Sequence, residues 1–151
     1  MGITVETTAC PFCKFLAGGE TERNRQSDVV WRDRQTTAFV SPRWWEASPA
    51  HVIVIPNEHF ENLYDVPEET LAAVYATAKR VAGALKESYG CAGTSTRQHN
   101  EAGGGQDVLH LHVHVFPRSE GDGLYERHHE TRWAAAAERA PYAERLRRAL
   151  G

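Results

Sequence analysis

The chain has 151 residues, of which 41% are hydrophobic and 25% charged, as expected for one ordinary globular domain with its own core. Its formal net charge of -3 excludes the broadly basic surface of a protein that coats nucleic acid. Because no apolar run approaches a membrane span and no signal-peptide pattern opens the sequence, we expect a cytoplasmic protein without a membrane partner.

The first motif along the chain is the pair Cys10-x-x-Cys13. In a reducing compartment such a pair is a metal knuckle or a redox couple rather than a structural disulfide. A redox couple usually begins a helix that follows a strand, and the sequence predicts no strand before Cys10. The pattern therefore favours a metal site. No role is assigned to the third cysteine, Cys91.

Short runs rich in β-branched and aromatic residues predict strands over 29–31, 37–40 and 51–55. The segment 41–50 is predicted to be a loop. A further strand is predicted over 93–98, before a glycine-rich loop.

One long helix is predicted to begin at Pro67 and to end at Gly90, because proline suits the first helical position and glycine the end. Apolar residues at three- and four-residue steps give this helix a core-facing stripe: Leu71, Val74, Ala78, Val81 and Leu85. A second helix is predicted over 141–150. Strands in hairpin-like succession on either side of one helix indicate an α+β fold with a mostly antiparallel sheet.

The most informative segment is 110–117, in which His110, His112 and His114 alternate with apolar residues. In a strand, this alternation places the three imidazoles on one face and the apolar side chains in the core. Pro117 is predicted to end the strand. Imidazole is a metal ligand, a nucleophile and a proton shuttle near neutral pH. The three rings could therefore bind one catalytic metal, or divide into a metal ligand, a nucleophile and a leaving-group assistant.

Together these motifs resemble the histidine triad (HIT) superfamily of nucleotide hydrolases and transferases, and in particular its zinc-bearing bacterial branch. The patterns that carry the resemblance are Cys10-x-x-Cys13, His51-Val-Ile-Val-Ile-Pro56-x-x-His59, Gly105-Gln106-Asp107-Val108 and His110-Leu-His112-Val-His114-Val. The resemblance implies a HIT-like fold, with a mostly antiparallel sheet of about five strands, one long helix and short helices. It assigns 1–118 to a HIT domain with an N-terminal zinc knuckle and leaves 119–151 as a C-terminal extension packed on the same domain. It also implies a homodimer.

The resemblance implies catalytic roles for three histidines. His112 corresponds to a nucleophile that attacks the α-phosphate of a nucleoside phosphoramidate, a dinucleoside polyphosphate or a related nucleotide. A covalent nucleotidyl-histidine then splits one difficult displacement into two easier ones. His114 corresponds to a group that contacts the phosphate or assists the leaving group, and His51 to a fourth active-site histidine.

The resemblance also implies binding residues. Gly104 and Gly105 would let backbone N–H groups approach phosphate oxygens, and Gln106 would contact the phosphate or the leaving group. A structural zinc is expected, with no organic cofactor. Its implied ligands are Cys10, Cys13, His59 and His110, the closed tetrahedral set of a structural site.

Several positions depart from the family pattern. Arg43 stands where relatives carry an aspartate that holds the ribose hydroxyls, and Asp107 stands where some carry Ser or Thr. His99, with Asn100 beside it, stands where relatives often carry an asparagine, so either the loop is one residue shorter or His99 substitutes for it. Trp44 or its neighbour Trp45 would stack on a base, or else anchor the loop by packing. We keep Arg43, Trp44, His99 and Asn100 as candidate substrate-binding residues.

Three functions are compatible with this pattern. The first is a nucleotidyl hydrolase or transferase, and the second is an enzyme whose catalytic metal is bound by all three strand histidines. The third is a nucleotide-binding regulatory module with little turnover. The tail over 119–151 is predicted to be a surface helix on the sheet, or to lie over a pocket of its own chain or of a partner in the dimer.

Overall fold

The fold is built on a five-stranded sheet whose neighbouring strands are all antiparallel. The computed structural model describes residues 9–46 and 48–151. Its helices are α1 (Pro11–Leu16), α2 (Glu68–Tyr89) and α3 (Ala136–Leu150). Its strands are β1 (Val29–Arg32), β2 (Thr36–Val40), β3 (Arg43–Trp45), β4 (Val52–Pro56), β5 (Gly93–Arg97), β6 (Val113–Arg118) and β7 (Thr131–Trp133). The main sheet has the order β1-β2-β4-β6-β5, and β3 pairs with β7 in a second sheet. The predicted α+β fold is therefore confirmed.

Helices α2 and α3 pack on one face of the main sheet. The stripe predicted for α2 lies in this core, where all its members except the half-buried Leu71 are buried. The helix begins directly after Pro67 and ends at Gly90, whose φ of 57° is the left-handed conformation that glycine adopts readily. Among the described residues, no helix combines the length and the apolar character needed to cross a bilayer.

Three predicted elements differ from the structure. The predicted loop 41–50 contains β3, which is paired with a strand of the tail that was not predicted. The histidine strand begins only at Val113 and continues through Pro117 to Arg118. Proline is tolerated there because, beyond Val115, only β5 pairs with β6 and one edge needs no donor.

The tail is part of the core. Helix α3 begins at Ala136 instead of the predicted position 141, so Pro141 lies inside it. Its Ala143 and Leu146 are fully buried in the cluster that also contains the α2 stripe. The core therefore includes residues beyond the stretch that carries the family resemblance.

A buried ion pair accompanies the extension of this helix towards its N-terminal end. The guanidinium of Arg139 donates from Nε and Nη2 to the two carboxylate oxygens of Asp28, each at 2.9 Å. It donates a third hydrogen bond to the carbonyl of Ala134. Arg139 is 0% exposed and Asp28 1%. The pair ties α3 to the segment that precedes β1.

Asp28→Asn is expected to lower the free energy of unfolding by about 3–5 kcal/mol, because it leaves a buried guanidinium without its counter-charge. Urea unfolding monitored by circular dichroism measures this loss. The matched control is Glu144→Gln, which breaks an exposed pair with Arg148 and should cost about 1 kcal/mol or less. Equal losses in the two variants would contradict the structural role of the buried pair.

Candidate active site and metal centre

Four side chains predicted as metal ligands meet beside α1. Cys10 and Cys13 come from the start of this helix, and their sulfurs face His59 and His110. The Sγ of Cys13 lies 3.3 Å from Nδ1 of His59 and 3.6 Å from Nδ1 of His110. All four potential ligand atoms lie within 4.8 Å of one another. The structure thus brings together residues separated by up to 100 positions in the chain.

This donor set fits a metal ion in two further respects. The Nε2 of His110 donates to the carbonyl of Pro56 at 2.9 Å, which leaves Nδ1 as the atom that faces the thiols. Metal-binding histidines commonly have such a second contact. Burial, with Cys10 adding to it, raises the pKa of the Cys13 thiol to about 12. A bound divalent cation favours the thiolate and offsets this penalty.

The three histidines of the 110–114 segment do not converge on one metal. His110 faces the cysteines, whereas His112 and His114 line a separate cavity. Among the residues that the structure describes, the four-residue cluster is the only group placed to hold a metal. The interpretation of three strand histidines as ligands of one catalytic metal is therefore wrong.

His112 has one nitrogen held and one directed at the cavity. Its Nδ1 donates to the carbonyl of His110 at 2.8 Å, which fixes the tautomer of the neutral ring. Phe12 packs edge-on against the ring, with 5.3 Å between centroids. The ring is 4% exposed, so its orientation is fixed by packing as well as by the hydrogen bond. In the neutral ring, this tautomer puts the lone pair that a nucleophile needs on Nε2.

His51 and His114 form a coupled pair at the same cavity. His51 precedes β4 directly, His114 lies on β6, and their Nε2 and Nδ1 atoms are 3.3 Å apart. The His51 ring stacks on Phe116 at 4.6 Å between centroids. Burial lowers the pKa of both rings, to about 3 for His51, and nearby charge on Arg97 contributes. Both rings are therefore neutral near pH 7.

The cavity itself measures about 370 Å³ and is bordered by both sheets. Its lining includes the three catalytic candidates and residues of β3, β7 and the loop before β1. Three buried polar atoms have no partner within the described protein: Oδ1 of Asn24, Nδ1 of His51 and Nε of Arg97. All three residues line this cavity. Because buried polar groups are rarely left unpaired, these atoms indicate a polar ligand.

Asp107 contacts the proposed nucleophile. Its Oδ1 lies 3.3 Å from Nε2 of His112, and its side chain is 74% exposed at the cavity. This contact is a hydrogen bond only while Nε2 of His112 carries a proton, and that hydrogen bond lowers the pKa of Asp107 to about 2, so the carboxylate is ionised near neutral pH. It lies in the direction from which a phosphorus atom would approach Nε2.

The glycine loop is arranged differently from its predicted role. The backbone N–H groups of Gly104 and Gly105 donate to Glu101 and Ala102 within a 3-10 turn. The side-chain amide of Gln106 also has partners within the protein. Its Nε2 donates to the carbonyls of Glu61 and Val108, and its Oε1 accepts from the backbone N–H of Glu101. These groups are occupied by contacts within the protein, and only Gly105 of the three predicted residues lines the cavity.

Of the other candidate binding residues, two lie at the cavity and two do not. His99 lines it, with Nδ1 donating to the carbonyl of Gly104 at 2.8 Å, and Arg43 lines it as well. Asn100 instead accepts from the backbone of Leu63. Trp44 is buried against Tyr142 and donates to the carbonyl of Ser41. The prediction that Trp44 contacts substrate is wrong, because β3 turns this indole into the core.

The lining also includes Trp45, which the sequence offered as the alternative to Trp44, and several residues that the sequence did not single out for binding. Trp45, the neighbour on β3, faces the cavity 5.4 Å from the His51 ring. The loop before β1 contributes Arg23 and Asn24, and the tail contributes His128, Thr131 and Trp133. The alternating Thr131-Arg132-Trp133 was the one local signal for a strand in this part of the tail.

The buried state of His51 predicts how stability changes with pH. An unfolded histidine has a pKa near 6.5, and burial lowers that of folded His51 to about 3. Between these values the unfolded chain binds a proton that the folded chain does not. The contribution of neutral His51 to the free energy of unfolding is therefore complete above about pH 6.5. Below that pH it falls by about 1.4 kcal/mol per pH unit.

Urea unfolding near pH 7 and near pH 5 measures this dependence. His51→Asn removes the group and should give a shallower fall in unfolding free energy than the parent protein. His129→Asn, a change at an exposed position, should leave the fall unchanged. An identical fall in the His51 variant would exclude His51 as its source.

A family model described as "HIT domain" matches residues 22–121. "Protein hit" of Bacillus subtilis (strain 168) is 31% identical over 116 residues, covering 76% of this chain and 75% of that protein. A solved structure of a Zn-bound histidine triad family protein from Mycobacterium smegmatis superposes with a TM-score of 0.76 at 27% identity. It covers 95% of this chain and 94% of that chain.

Two similar proteins are named as enzymes. Adenylylsulfatase HINT3 of Arabidopsis thaliana is 30% identical over 116 residues, covering 77% of this chain and 55% of that protein. The asymmetrical bis(5'-nucleosyl)-tetraphosphatase of Schizosaccharomyces pombe is 27% identical over 111 residues, covering 74% of this chain and 56% of that protein.

Proposed function

Because the chain belongs to the HIT domain family, we propose that it is a nucleotidyl hydrolase or transferase whose nucleophile is His112. The observation that carries this proposal is the hydrogen bond from Nδ1 of His112 to the carbonyl of His110. In the neutral ring, it leaves Nε2 unprotonated and directed at the cavity. A neutral ring held in this tautomer is a competent nucleophile at neutral pH.

In the first step, the lone pair on Nε2 of His112 forms a bond to the α-phosphorus of a bound nucleotide. The bond from phosphorus to the leaving group breaks, and its electron pair departs with that group. A proton must reach the departing atom when that atom is a poor leaving group, as an amine nitrogen is. The product is a nucleotidyl-histidine and the released group.

His114 is placed to assist this step. His51 has no partner for its buried Nδ1, and an unpartnered N–H costs more than an unpartnered lone pair. This favours a proton on Nε2 of His51, donated to Nδ1 of His114, so that Nε2–H of His114 faces the phosphate. Its donation to a phosphate oxygen or to the leaving group would be worth about 10²–10⁴-fold in rate.

In the second step, water or another acceptor attacks the same phosphorus. A new phosphorus–oxygen bond forms, the bond to His112 breaks, and the ring recovers its lone pair. The attacking oxygen gives its proton to the His114 nitrogen that donated one in the first step, or to solvent where none was donated, which restores the neutral site. Hydrolysis therefore releases a nucleoside monophosphate.

The names of two relatives support the proposed substrate class. Their names identify an adenylylsulfatase and a dinucleoside tetraphosphatase, which both cleave a bond at a nucleotide phosphate. We extend the class to nucleoside phosphoramidates, since His114 can protonate an amine leaving group. The second candidate function is a nucleotide-binding module with little turnover. The contact of Asp107 with His112 favours it, because the carboxylate must rotate away before phosphorus can approach within about 3–3.5 Å.

We further propose that the metal at Cys10, Cys13, His59 and His110 is a structural zinc. Two thiolates and two imidazoles form a closed tetrahedral set, and such a zinc supplies a cross-link rather than a reacting position. The chain's own contribution is to join α1 to the segment that precedes β6. This holds Phe12 against the His112 ring.

The test is to trap the covalent intermediate. The full chain is mixed with adenosine 5'-phosphoramidate, denatured under alkaline conditions that preserve the phosphorus–nitrogen bond, and weighed by mass spectrometry. We expect one added nucleotidyl group, mapped to His112 and absent in His112→Asn. The matched control His129→Asn, at an exposed position outside the cavity, should still be labelled. Nucleotide binding without an adduct or product would favour the low-turnover module.

A further inference from the structure

Two arginines flank one tryptophan at the border of the cavity. Arg43 on β3 is paired directly across from Trp133 on β7. The guanidinium carbon of Arg23 lies 3.5 Å from the centroid of the Trp133 ring, and that of Arg43 lies 5.2 Å from it. The Nε of Arg43 also donates to Thr131 at 2.9 Å. We call Arg23, Arg43 and Trp133 the arginine–indole cluster.

The positive charge of this cluster is not matched by the protein around it. Within the described part of the chain, no carboxylate lies within salt-bridge distance of Arg23 or Arg43. Arg132, between the two β7 lining residues, is instead paired with Glu138. Two guanidiniums beside one ring repel each other, and an anion bound near them relieves that repulsion.

The cluster belongs to the same cavity as the proposed nucleophile. Arg23, Arg43, Trp133 and His112 all contribute to its lining. The unpartnered Oδ1 of Asn24, next to Arg23 in the chain, also lies there. This acceptor is an independent sign that a polar ligand extends to this end, where it could receive a sugar hydroxyl.

The anion expected at the arginine–indole cluster differs from the phosphate that His112 attacks. The attacked phosphorus must lie about 3–3.5 Å from Nε2 of His112, beside His114. Arg43 and Trp133 lie on the second sheet and Arg23 on the loop before β1, whereas the cation stacked on the histidine side is a different one, Arg97, at 4.9 Å from the Phe116 ring. A nucleotide attacked by His112 would therefore reach the cluster with another of its groups.

Building on the proposed function, we propose that Arg23 and Arg43, stacked on Trp133, form a second phosphate subsite in the cavity of His112. Its ligand is a phosphate group that the nucleotide carries in addition to the attacked one. Guanidinium groups match phosphate oxygens through paired hydrogen bonds, and nucleotide sites use arginine where a sugar carries a phosphate ester. The second phosphate is attached to the sugar or lies further along the 5' chain. In both positions it presents the same anionic oxygens to the two guanidiniums.

Binding of four probes to the full chain tests the subsite. Isothermal titration compares adenosine 5'-monophosphate with adenosine 5'-diphosphate and with the 2',5'- and 3',5'-bisphosphates of adenosine. We expect at least one doubly phosphorylated probe to bind about tenfold or more tightly than the monophosphate. A preference for a bisphosphate places the second phosphate on the sugar, and a preference for the diphosphate places it on the 5' chain.

Arg23→Gln and Arg43→Gln should each remove most of this preference while leaving monophosphate binding within about threefold. Both side chains are exposed, so the variants should retain the fold, which thermal unfolding checks. Arg132→Gln is the matched control, since it removes an adjacent arginine outside the cavity lining and should keep the full preference.

The subsite proposal is overturned if all four probes bind equally, or if the preference survives in both arginine variants. The experiments can reject the subsite without rejecting the proposed function, and the reverse. A nucleotidyl adduct on His112 together with equal binding of the probes rejects the subsite alone. An arginine-dependent preference without any adduct rejects the covalent mechanism and keeps the subsite.

Discussion

His112→Asn should lower kcat for adenosine 5'-phosphoramidate by about 10⁵-fold or more, because the variant lacks the atom that bonds to phosphorus. Asparagine is a smaller polar side chain that can still donate to the carbonyl of His110, so the fold and nucleotide affinity should be retained. Steady-state turnover and titration with adenosine 5'-monophosphate measure the two properties separately.

His114→Asn provides the graded comparison. If His114 supplies only acid assistance, its replacement should cost about 10²–10⁴-fold and should cost less when the leaving group needs no proton. The nucleotidyl adduct should still form, only more slowly. Near-parental turnover in His112→Asn, or an adduct formed at another residue, would exclude the proposed nucleophile.

The sequence was sufficient to predict the α+β fold and the group of residues at the metal cluster. Several local signals agree with the structure. They are the β-branched and aromatic runs that predict strands, the apolar stripe of α2, and the helix boundaries at Pro67 and Gly90. The Cys-x-x-Cys pair and the alternating histidines are also local. Their proximity follows from the order of the strands, and only the resemblance implied that these residues share one site.

Local signals failed where contacts between distant segments decide the structure. Trp44 and Trp45 are adjacent in sequence, and only the pairing of β3 with β7 determines which indole faces the cavity. In the sequence, Pro141 indicated the start of the last helix. In the structure this helix begins at Ala136, and the added turn contains Arg139, which is paired with the buried Asp28. Neither effect could be derived from the residues on one element.

The contribution of the tail to the site is a consequence of the same long-range pairing. Because Trp133 and Thr131 border the cavity while Leu146 fills the core, removing 119–151 would disrupt the fold as well as the site. Truncation after Arg118 therefore cannot report on specificity by itself. Substitutions at the cavity lining are the appropriate test.

Removal of the metal should affect stability more than chemistry. We expect about one zinc per chain, and Cys10→Ser should lose it and lower the free energy of unfolding by about 4 kcal/mol or more. The reason is that the four ligands join α1 to the chain before β6, and without the metal two thiols and two imidazoles would face one another in a buried site. Elemental analysis and urea unfolding measure the two effects.

Loss of the metal in Cys10→Ser should reduce turnover only moderately, by about tenfold. His110 supplies both a ligand atom and, through its carbonyl, the hydrogen bond that orients His112, so loosening the centre disturbs the nucleophile without removing it. Cys91→Ser is the matched control, since this third cysteine lies at the edge of the core away from the metal centre and should keep metal, stability and turnover. A Cys10→Ser protein that is metal-free yet as stable and as active as the parent would show that the cluster is not a structural metal site.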